Sequence, residues 1–288
     1  MDIVTEAILG PFQYGFMVRA LLVSVLVGIM CPILGAYVVV RGLGFMTDGL
    51  AHSLLPGLVV AALVVSVISS SWLILVPNAI AFALIIGFLS KRTGLSEDTS
   101  IGILFAGLFA LGLTLLTAAR GLNVSLESVL LGQVLGVSRS DVMITGVLAV
   151  VVIVLLLALH KEMVFSTFDP LGASVMGLPT QVLDYLLLVL LAVVILIALQ
   201  AVGIVLVISM LITPAAAAQL LTQRFTLAML VGAGIGTASA IIGLYLSFHY
   251  NLASGPVMAL SATAFFVVAL ALKQGTAHIG GRMARSHA

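Results

Sequence analysis

An acidic and an imidazole side chain stand four residues apart in an otherwise apolar stretch of this chain. Asp48 and His52 lie in the run MTDGLAHSLLPG, residues 46–57, with long hydrophobic runs on both sides. Residues four apart share one face of a helix, so the carboxylate and the imidazole can reach a common ligand. Carboxylate oxygen and imidazole nitrogen together suit a divalent first-row transition metal. The alternative is a hydrogen-bonded polar pair that only fixes helix packing.

Composition indicates that this pair lies inside a membrane. The 288 residues are 62% hydrophobic and 7% charged, with a mean hydropathy of +1.36, whereas soluble domains carry about 25% charged residues. Ionisable groups at membrane depth are costly and usually mark an ion path, a proton relay or a binding site. The net charge of +1 comes without a basic patch, so no nucleic-acid partner is expected. The single Cys31 excludes an internal disulfide.

The hydrophobic pattern predicts an all-α polytopic membrane protein with a single domain over residues 1–288. Nine apolar segments occur, each near the ~20 residues that cross a hydrocarbon core. They lie near residues 16–40, 50–69, 72–90, 100–118, 141–159, 181–200, 202–221, 226–247 and 255–272. Eight spans with one segment re-entrant is compatible with the same pattern, because the first segment and the boundary near Gly203 are the weakest.

Lysine and arginine positions predict the orientation in the cell membrane. If all nine segments span, eight cations share one side: Arg41, Lys91, Arg92, Lys161, Arg224, Lys273, Arg282 and Arg285. Only Arg19, Arg120 and Arg139 fall on the other side. We therefore expect a cytoplasmic C-terminal tail over residues 273–288, a cytoplasmic connector over 160–180, and an interfacial lead-in over 1–15.

Proline and glycine predict where the helices bend. With 1.5 Å of rise per residue, His52 would lie about 16 Å along the helix axis from Arg41, near the middle of the bilayer. Pro56 and Gly57 follow His52 and allow a kink or a break there, which is tolerated only where backbone lines a cavity or is buried in protein. Pro214, in the segment 202–221, predicts a second kink.

Four stretches carry a resemblance to a known family. They are TDGLAHSLLPG (Thr47–Gly57), SEDTSIGILFAGLFALGL (Ser96–Leu113), FDPLGASVMGLP (Phe168–Pro179) and VGIVLVISMLITPAAAAQLL (Val202–Leu221). In this order they resemble the permease subunits of the ABC-3 family, which belong to ATP-binding-cassette importers for manganese, zinc and iron. Thr47, Gly49, Leu171 and Met176 depart from the residues most common in the family, and Leu171 replaces an acidic residue.

The resemblance implies a membrane-spanning permease that moves Mn²⁺, Zn²⁺ or Fe²⁺ by alternating access. Two copies of the chain would pair with two cytoplasmic ATPase subunits, and an extracellular or periplasmic metal-binding protein would deliver the ion. No cofactor would be bound permanently, and ATP would be bound and hydrolysed by the partners. The sequence agrees, because it contains no GxxxxGK motif followed by Ser or Thr for binding phosphates. The chain itself is therefore expected to be a transport subunit and not an enzyme.

Asp48 and His52 are too few for a closed metal site. Water, backbone at a helix break, or the same residues of a second copy could complete it. A weak, incomplete site suits translocation, since an ion held too tightly would not leave. Binding needs a neutral imidazole and an ionised carboxylate, so it should weaken at acid pH.

The segment Phe168–Pro179 is predicted to couple the chain to an ATPase. Asp169 and Pro170 favour the start of a short helix, which by the resemblance would dock in a groove of the ATPase. Phe168, Asp169, Pro170, Ala173 and Gly177 are the residues expected to form it. An ordinary cytoplasmic connector is the alternative.

Two other functions remain open from the residues alone. A self-sufficient secondary transporter or channel could use Asp48 and His52 as a proton–metal exchange site. An intramembrane enzyme could use the same pair as acid and base, but the sequence offers no third catalytic group at membrane depth.

Overall fold

The secondary-structure elements that the structure describes are all helices, joined by short connectors. A computed structural model describes residues 13–64, 72–92, 97–118 and 136–285. The helices are α1 (Gly15–Val40), α2 (Gly44–Ser53), α3 (Leu55–Val64), α4 (Trp72–Arg92), α5 (Glu97–Ala118), α6 (Arg139–Ala158), α7 (His160–Phe168), α8 (Pro170–Val175), α9 (Thr180–Val202), α10 (Ile204–Leu221), α11 (Phe225–Tyr250) and α12 (Ser254–Arg285). This confirms the predicted all-α class.

Seven helices among the described residues are long and apolar enough to cross a membrane: α1, α4, α5, α6, α9, α11 and α12. The chain is therefore a polytopic membrane protein, but the count of nine spans is not confirmed. The segment predicted at 50–69 contains instead the end of the ten-residue helix α2 and all of the ten-residue helix α3. Its last residues, 65–69, lie outside the described ranges. The segment at 202–221 is α10, whose apolar part is shorter than the seven.

Helix α9 lies at the centre of the bundle. It packs against α1, α2, α4, α6, α7 and α10, and every residue from 190 to 199 is buried. Residues 181–200 of the helix contain Asp184 as their one charged side chain, close to the start of the helix. A helix that is apolar on all sides is either a membrane span or enclosed in a core, and most of α9 is buried within the bundle.

Helices α1 and α11 cross at very short range through glycine. A Cβ added to Gly28 would lie 2.9 Å from the carbonyl carbon of Gly236, and one added to Gly232 would lie 3.3 Å from Cβ of Pro32. Small residues let the two backbones approach closely, which is how helices associate where lipid removes the usual hydrophobic drive.

Polar contacts distinguish the two ends of the bundle. At one end Arg41, following α1, and Lys91 of α4 both bind Asp184 of α9, with N–O distances of 2.8 and 3.0 Å. At the other end, Nε of Arg19 in α1 donates to the carbonyl of Val137. The ends of α1 and α4 that the charge pattern assigned to one side therefore lie together.

The predicted termini are only partly described. Residues 1–12 of the interfacial lead-in and residues 286–288 of the tail lie outside the described ranges. Most of the predicted tail is a helical continuation of α12, which extends from Ser254 to Arg285.

Candidate functional site

Asp48 and His52 face each other on α2, as their spacing predicts. Nδ1 of His52 lies 3.0 Å from the backbone carbonyl oxygen of Asp48 and 3.3 Å from its carboxylate Oδ1. Both neighbours are hydrogen-bond acceptors, so in a neutral ring Nδ1 carries the proton and Nε2 keeps a free lone pair. The His52 side chain is 19% exposed and the Asp48 side chain 37%. An imidazole and a carboxylate, both partly exposed, thus lie on one helix face.

Two phenylalanine rings of helix α5 pack beside the histidine. The His52 ring meets Phe105 edge to face at 5.3 Å between centroids and Phe109 at 5.7 Å. The approach of α2 to α5 depends on Gly49, because a Cβ there would lie 2.5 Å from Cγ2 of Ile101. These contacts hold the imidazole between its hydrogen-bond acceptors and two apolar rings.

The helix is interrupted directly after the pair. Helix α2 ends at Ser53 and α3 begins at Leu55, with Leu54 between them. Pro56 has no N–H, so the carbonyl of His52 lacks its α-helical donor four residues ahead, and the N–H of Leu54 points to that carbonyl instead. The backbone carbonyl of His52 thus lacks its usual helical donor beside the imidazole of the same residue.

No third protein ligand is apparent in the part of the chain that the structure describes. Among the described residues, no group of three or more His, Cys, Asp or Glu side chains is close enough to hold a metal ion. The pair by itself can therefore offer one nitrogen and carboxylate oxygen, which is an open and incomplete site.

Asn78 is a polar residue near this region that the sequence reasoning did not single out. It lies in α4, and a Cβ added to Gly57 of α3 would overlap its amide group. Its Oδ1 atom is buried and has no donor among the described residues. An asparagine inside a hydrophobic segment was the only available signal, and the sequence does not show which helix it faces.

The residues predicted for coupling build a short, defined helix. Asp169 precedes α8 and its carboxylate accepts a hydrogen bond of 2.8 Å from the N–H of Gly172. Pro170 occupies the first helical position, where a missing N–H costs little. Gly177 follows the helix with φ +82°, a backbone angle that favours glycine. The N–H of Leu178 then donates to the carbonyl of Ala173 at 3.0 Å, which closes the helix end.

Helix α8 is anchored on one side and apolar on the exposed side. Ala173 is fully buried, and Phe168, just before the helix, packs edge to face on Phe225 at 5.5 Å. Leu171, Val175 and Met176 are 79%, 87% and 76% exposed. We call these three side chains the α8 surface. The sequence reasoning treated Leu171 and Met176 only as departures from a family pattern and did not place them on one surface.

Helix α10 continues through Pro214 without interruption. Gln219, five residues later, donates to the carbonyl of Ala36 in α1 at 3.3 Å. Pro214 therefore lies in a helix attached to α1, and the kink predicted at this residue stays a prediction.

Comparison with known proteins identifies the family. The model of the ABC 3 transport family matches residues 13–273. The chain is 41% identical over 258 residues to the manganese transport system membrane protein MntC of Halalkalibacterium halodurans, covering 89% of this chain and 87% of that protein. It is 35% identical over 271 residues to the chelated iron transport system membrane protein YfeD of Yersinia pestis, covering 94% and 90%.

A solved structure agrees with these relatives. The structure of PsaBC from Streptococcus pneumoniae in complex with Fab matches with a TM-score of 0.82 and 30% identity, over 93% of this chain and 95% of that one. Helical polytopic architecture and the sequence matches together define a transporter permease. The chain belongs to the ABC 3 transport family, which confirms the resemblance drawn from its four motifs.

Proposed function

We propose that this chain is the membrane-spanning permease subunit of an ATP-binding-cassette importer for divalent transition metal ions in the plasma membrane. The observation that carries the proposal is the Asp48–His52 pair, which offers Nε2 and a carboxylate oxygen beside a helix break. Family membership supports the transport class, and relatives named for manganese and iron transport support the kind of cargo.

The ion would pass Asp48 and His52 on its way through the bundle. One chain supplies too few ligands for a closed site, so the remaining ones would be water, the backbone carbonyl of His52, or the same pair of a second copy. Such a site releases its ion readily, which suits a step in transport. Alternating access would then open it to one side of the membrane at a time.

Energy would come from two cytoplasmic ATPase subunits that dock on the α8 surface. Three exposed apolar side chains on a capped and anchored helix form the kind of patch that marks a protein contact. ATP binds its subunits more tightly in one conformation, and that difference would drive the permease between its states. An external metal-binding protein would deliver the ion to the opposite face, and the C-terminus would lie in the cytoplasm.

The cargo is proposed to be Mn²⁺ or Fe²⁺, with Zn²⁺ as the third metal to test. A mixed oxygen and nitrogen site accepts all three, because selectivity among first-row ions depends on geometry and availability as well as ligand type.

Uptake into sealed vesicles tests the proposal. Vesicles would contain this chain with or without its ATPase partner and ATP, and each of the three metals would be offered in turn. We expect uptake only with partner and ATP, and a loss of at least about tenfold in His52→Ala, the effect of losing roughly 1.4 kcal/mol of ion binding.

The matched control is His249→Ala. His249 is exposed and lies in the last turn of α11, far from α2 in the sequence. Its Nδ1 atom is 3.1 Å from the carbonyl oxygen of Tyr245. Its variant should transport normally. Uptake by the chain alone, driven by an ion gradient, would instead identify a secondary transporter or channel. Unchanged uptake in an Asp48→Ala and His52→Ala double variant would remove the pair from the ion path.

A further inference from the structure

Three rings from other parts of the chain flank Phe225, the first residue of α11. Tyr37 of α1 and Phe168 at the end of α7 meet its ring edge to face, at 4.9 and 5.5 Å between centroids. His160, the first residue of α7, lies nearly parallel to it at 6.4 Å. These distances are those of attractive ring pairs. Both ends of α7 therefore pack against one residue of α11.

His160 adds two polar contacts to this packing. Its Nδ1 atom lies 2.9 Å from the Tyr37 hydroxyl, and its Nε2 atom lies 3.2 Å from the Thr226 hydroxyl. A neutral imidazole has one donor and one acceptor nitrogen, and a hydroxyl takes either role, so both contacts can be hydrogen bonds at once. Tyr37 is fully buried, and His160 is the one hydrogen-bond partner of its hydroxyl among the described residues. One side chain of α7 thus bonds to both α1 and α11.

A second hydrogen bond joins α7 to the end of α1. Nε of Arg41, directly after α1, donates to the Thr167 hydroxyl at 3.0 Å. Tyr37 and Arg41 are one helical turn apart, and His160 and Thr167 are two turns apart, so each pair shares a helix face. Two bonds at separate points resist rotation of α7 against α1, which a single bond would allow.

Helix α7 connects a membrane span to α8. Leu159 alone separates it from α6, and Asp169 alone separates it from α8. On the other side of the contact, α1 leads through residues 41–43 into α2, which carries Asp48 and His52. The position of α7 on α1 therefore determines how the α8 surface is placed relative to the helix of the proposed transport pair.

We propose that His160 is a positioning residue that makes α7 a rigid connection between the α8 surface and α1. Without its two hydrogen bonds, the start of α7 is held by ring packing alone, and a displacement of α8 moves α7 instead of reaching α1. The consequence for transport rests on the proposed function, because it requires an ATPase that moves α8. The rigid connection itself is a property of the chain alone.

Amide hydrogen exchange of the full-length purified chain in detergent tests the rigid connection. His160→Phe keeps a ring beside Phe225 and removes both hydrogen bonds, whereas His160→Asn keeps a polar atom near the position of Nδ1 for Tyr37. We expect exchange over residues 163–168 to accelerate at least about fivefold in His160→Phe and less than about twofold in His160→Asn, because only the first leaves a buried hydroxyl unpaired.

Mn²⁺ uptake by vesicles containing the chain, its ATPase partner and ATP tests the consequence. We expect the number of ATP molecules hydrolysed per ion to rise at least about threefold in His160→Phe and to stay near the wild-type value in His160→Asn, since rigid elements carry coupling between distant sites. A residue that only stabilised the fold would lower the amount of folded protein and leave this ratio unchanged.

The matched control is His249→Phe, the same substitution at the other end of α11. It should change neither the exchange over α7 nor the ratio. Should His160→Phe fail to fold, Tyr37→Phe removes the same buried hydrogen bond without added bulk and decides.

Three results would overturn the proposal: unchanged exchange in folded His160→Phe, equal acceleration in His160→Asn, or faster exchange with an unchanged ratio. Absence of uptake by the unsubstituted complex would contradict the proposed function instead, and the exchange rates would then decide the rigid connection.

Discussion

At the scale of single residues, two aspartates differ in whether backbone N–H groups already bind their carboxylates. Asp169 stands at a helix start, and its carboxylate is used by the N–H of Gly172. Asp48 lies inside α2, where the backbone N–H groups bond to carbonyls of the same helix. Its carboxylate lies next to the His52 ring. A carboxylate within a helix in a membrane is therefore available to a ligand, whereas one at a helix start stabilises backbone.

Replacing Asp169 should loosen α8. Asp169→Ala removes the acceptor for the Gly172 N–H, which costs about 1 kcal/mol at a helix start. A six-residue helix has little stability of its own. We expect amide hydrogen exchange over residues 172–176 to accelerate about fivefold in the purified chain, the factor that 1 kcal/mol represents.

Asp169→Asn is the matched variant, because its amide oxygen can accept the same bond. It should exchange at nearly the wild-type rate. Equal acceleration in both variants would mean that the negative charge, and not the hydrogen bond, stabilises α8.

At the scale of elements, the break between α2 and α3 is stabilised by the neighbours of each half. Gly49 lets α2 lie against α5, and Gly57 leaves room for Asn78 of α4 beside α3. Gly112 lets α5 approach the start of α3, since a Cβ there would lie 2.9 Å from the nitrogen of Pro56. Three glycines thus allow close packing around a segment that has lost part of its own hydrogen bonding.

Gly57→Ala should destabilise the chain because its methyl group would overlap the Asn78 amide. Overpacking of this kind costs about 1–3 kcal/mol. We expect a lower thermal unfolding midpoint in detergent, restored in part by Asn78→Ala, which removes the overlapping atoms.

Gly102→Ala is the control for this experiment. Gly102 lies in α5, and a Cβ there meets nothing within 4 Å, so its midpoint should not fall. Additive losses for Gly57→Ala and Asn78→Ala would contradict the contact, because touching residues couple.

At the scale of the whole molecule, the α8 surface is available for contact with another protein. Leu171, Val175 and Met176 are exposed, while the helix beneath them is held by Ala173 and by Phe168 against Phe225. This segment also borders a cavity of about 330 Å³ that Arg41, Asp184 and Pro170 line. Arg41 bonds both Thr167, close before α8, and Asp184 of α9. A force that an ATPase applied to α8 would therefore reach α9 through Arg41.

A Leu171→Ser and Val175→Ser double variant should bind the ATPase subunits at least about tenfold more weakly, because truncating central apolar anchors of an interface costs more than about 1 kcal/mol each. Thermal stability of the chain alone should be unchanged, since both side chains are exposed. The measurement is titration of the purified chain with its ATPase subunit.

Leu252→Ser is the matched control. Leu252 is also exposed, but it follows the end of α11 opposite Phe225, and its variant should bind normally. Unchanged binding in the double variant would remove α8 from the contact.

Local sequence was sufficient for the helical membrane class, for most segment positions and for the face shared by Asp48 and His52. Long apolar runs must be helical in a membrane, because backbone groups find no other partner there, and four-residue spacing places two side chains together in any helix. The start of α8 followed from Asp169 and Pro170 for the same local reason.

Tertiary structure alone decided the contacts between distant segments. The sequence does not show that Arg41 binds Asp184, 143 residues away, that Asn78 faces Gly57, or that Phe105 and Phe109 flank His52. It also left open which side of α8 is buried and whether the segment at 50–69 is one helix or two. Hydrophobicity places a segment in the membrane, but only packing against its neighbours sets its rotation and depth, and these decide which side chains meet.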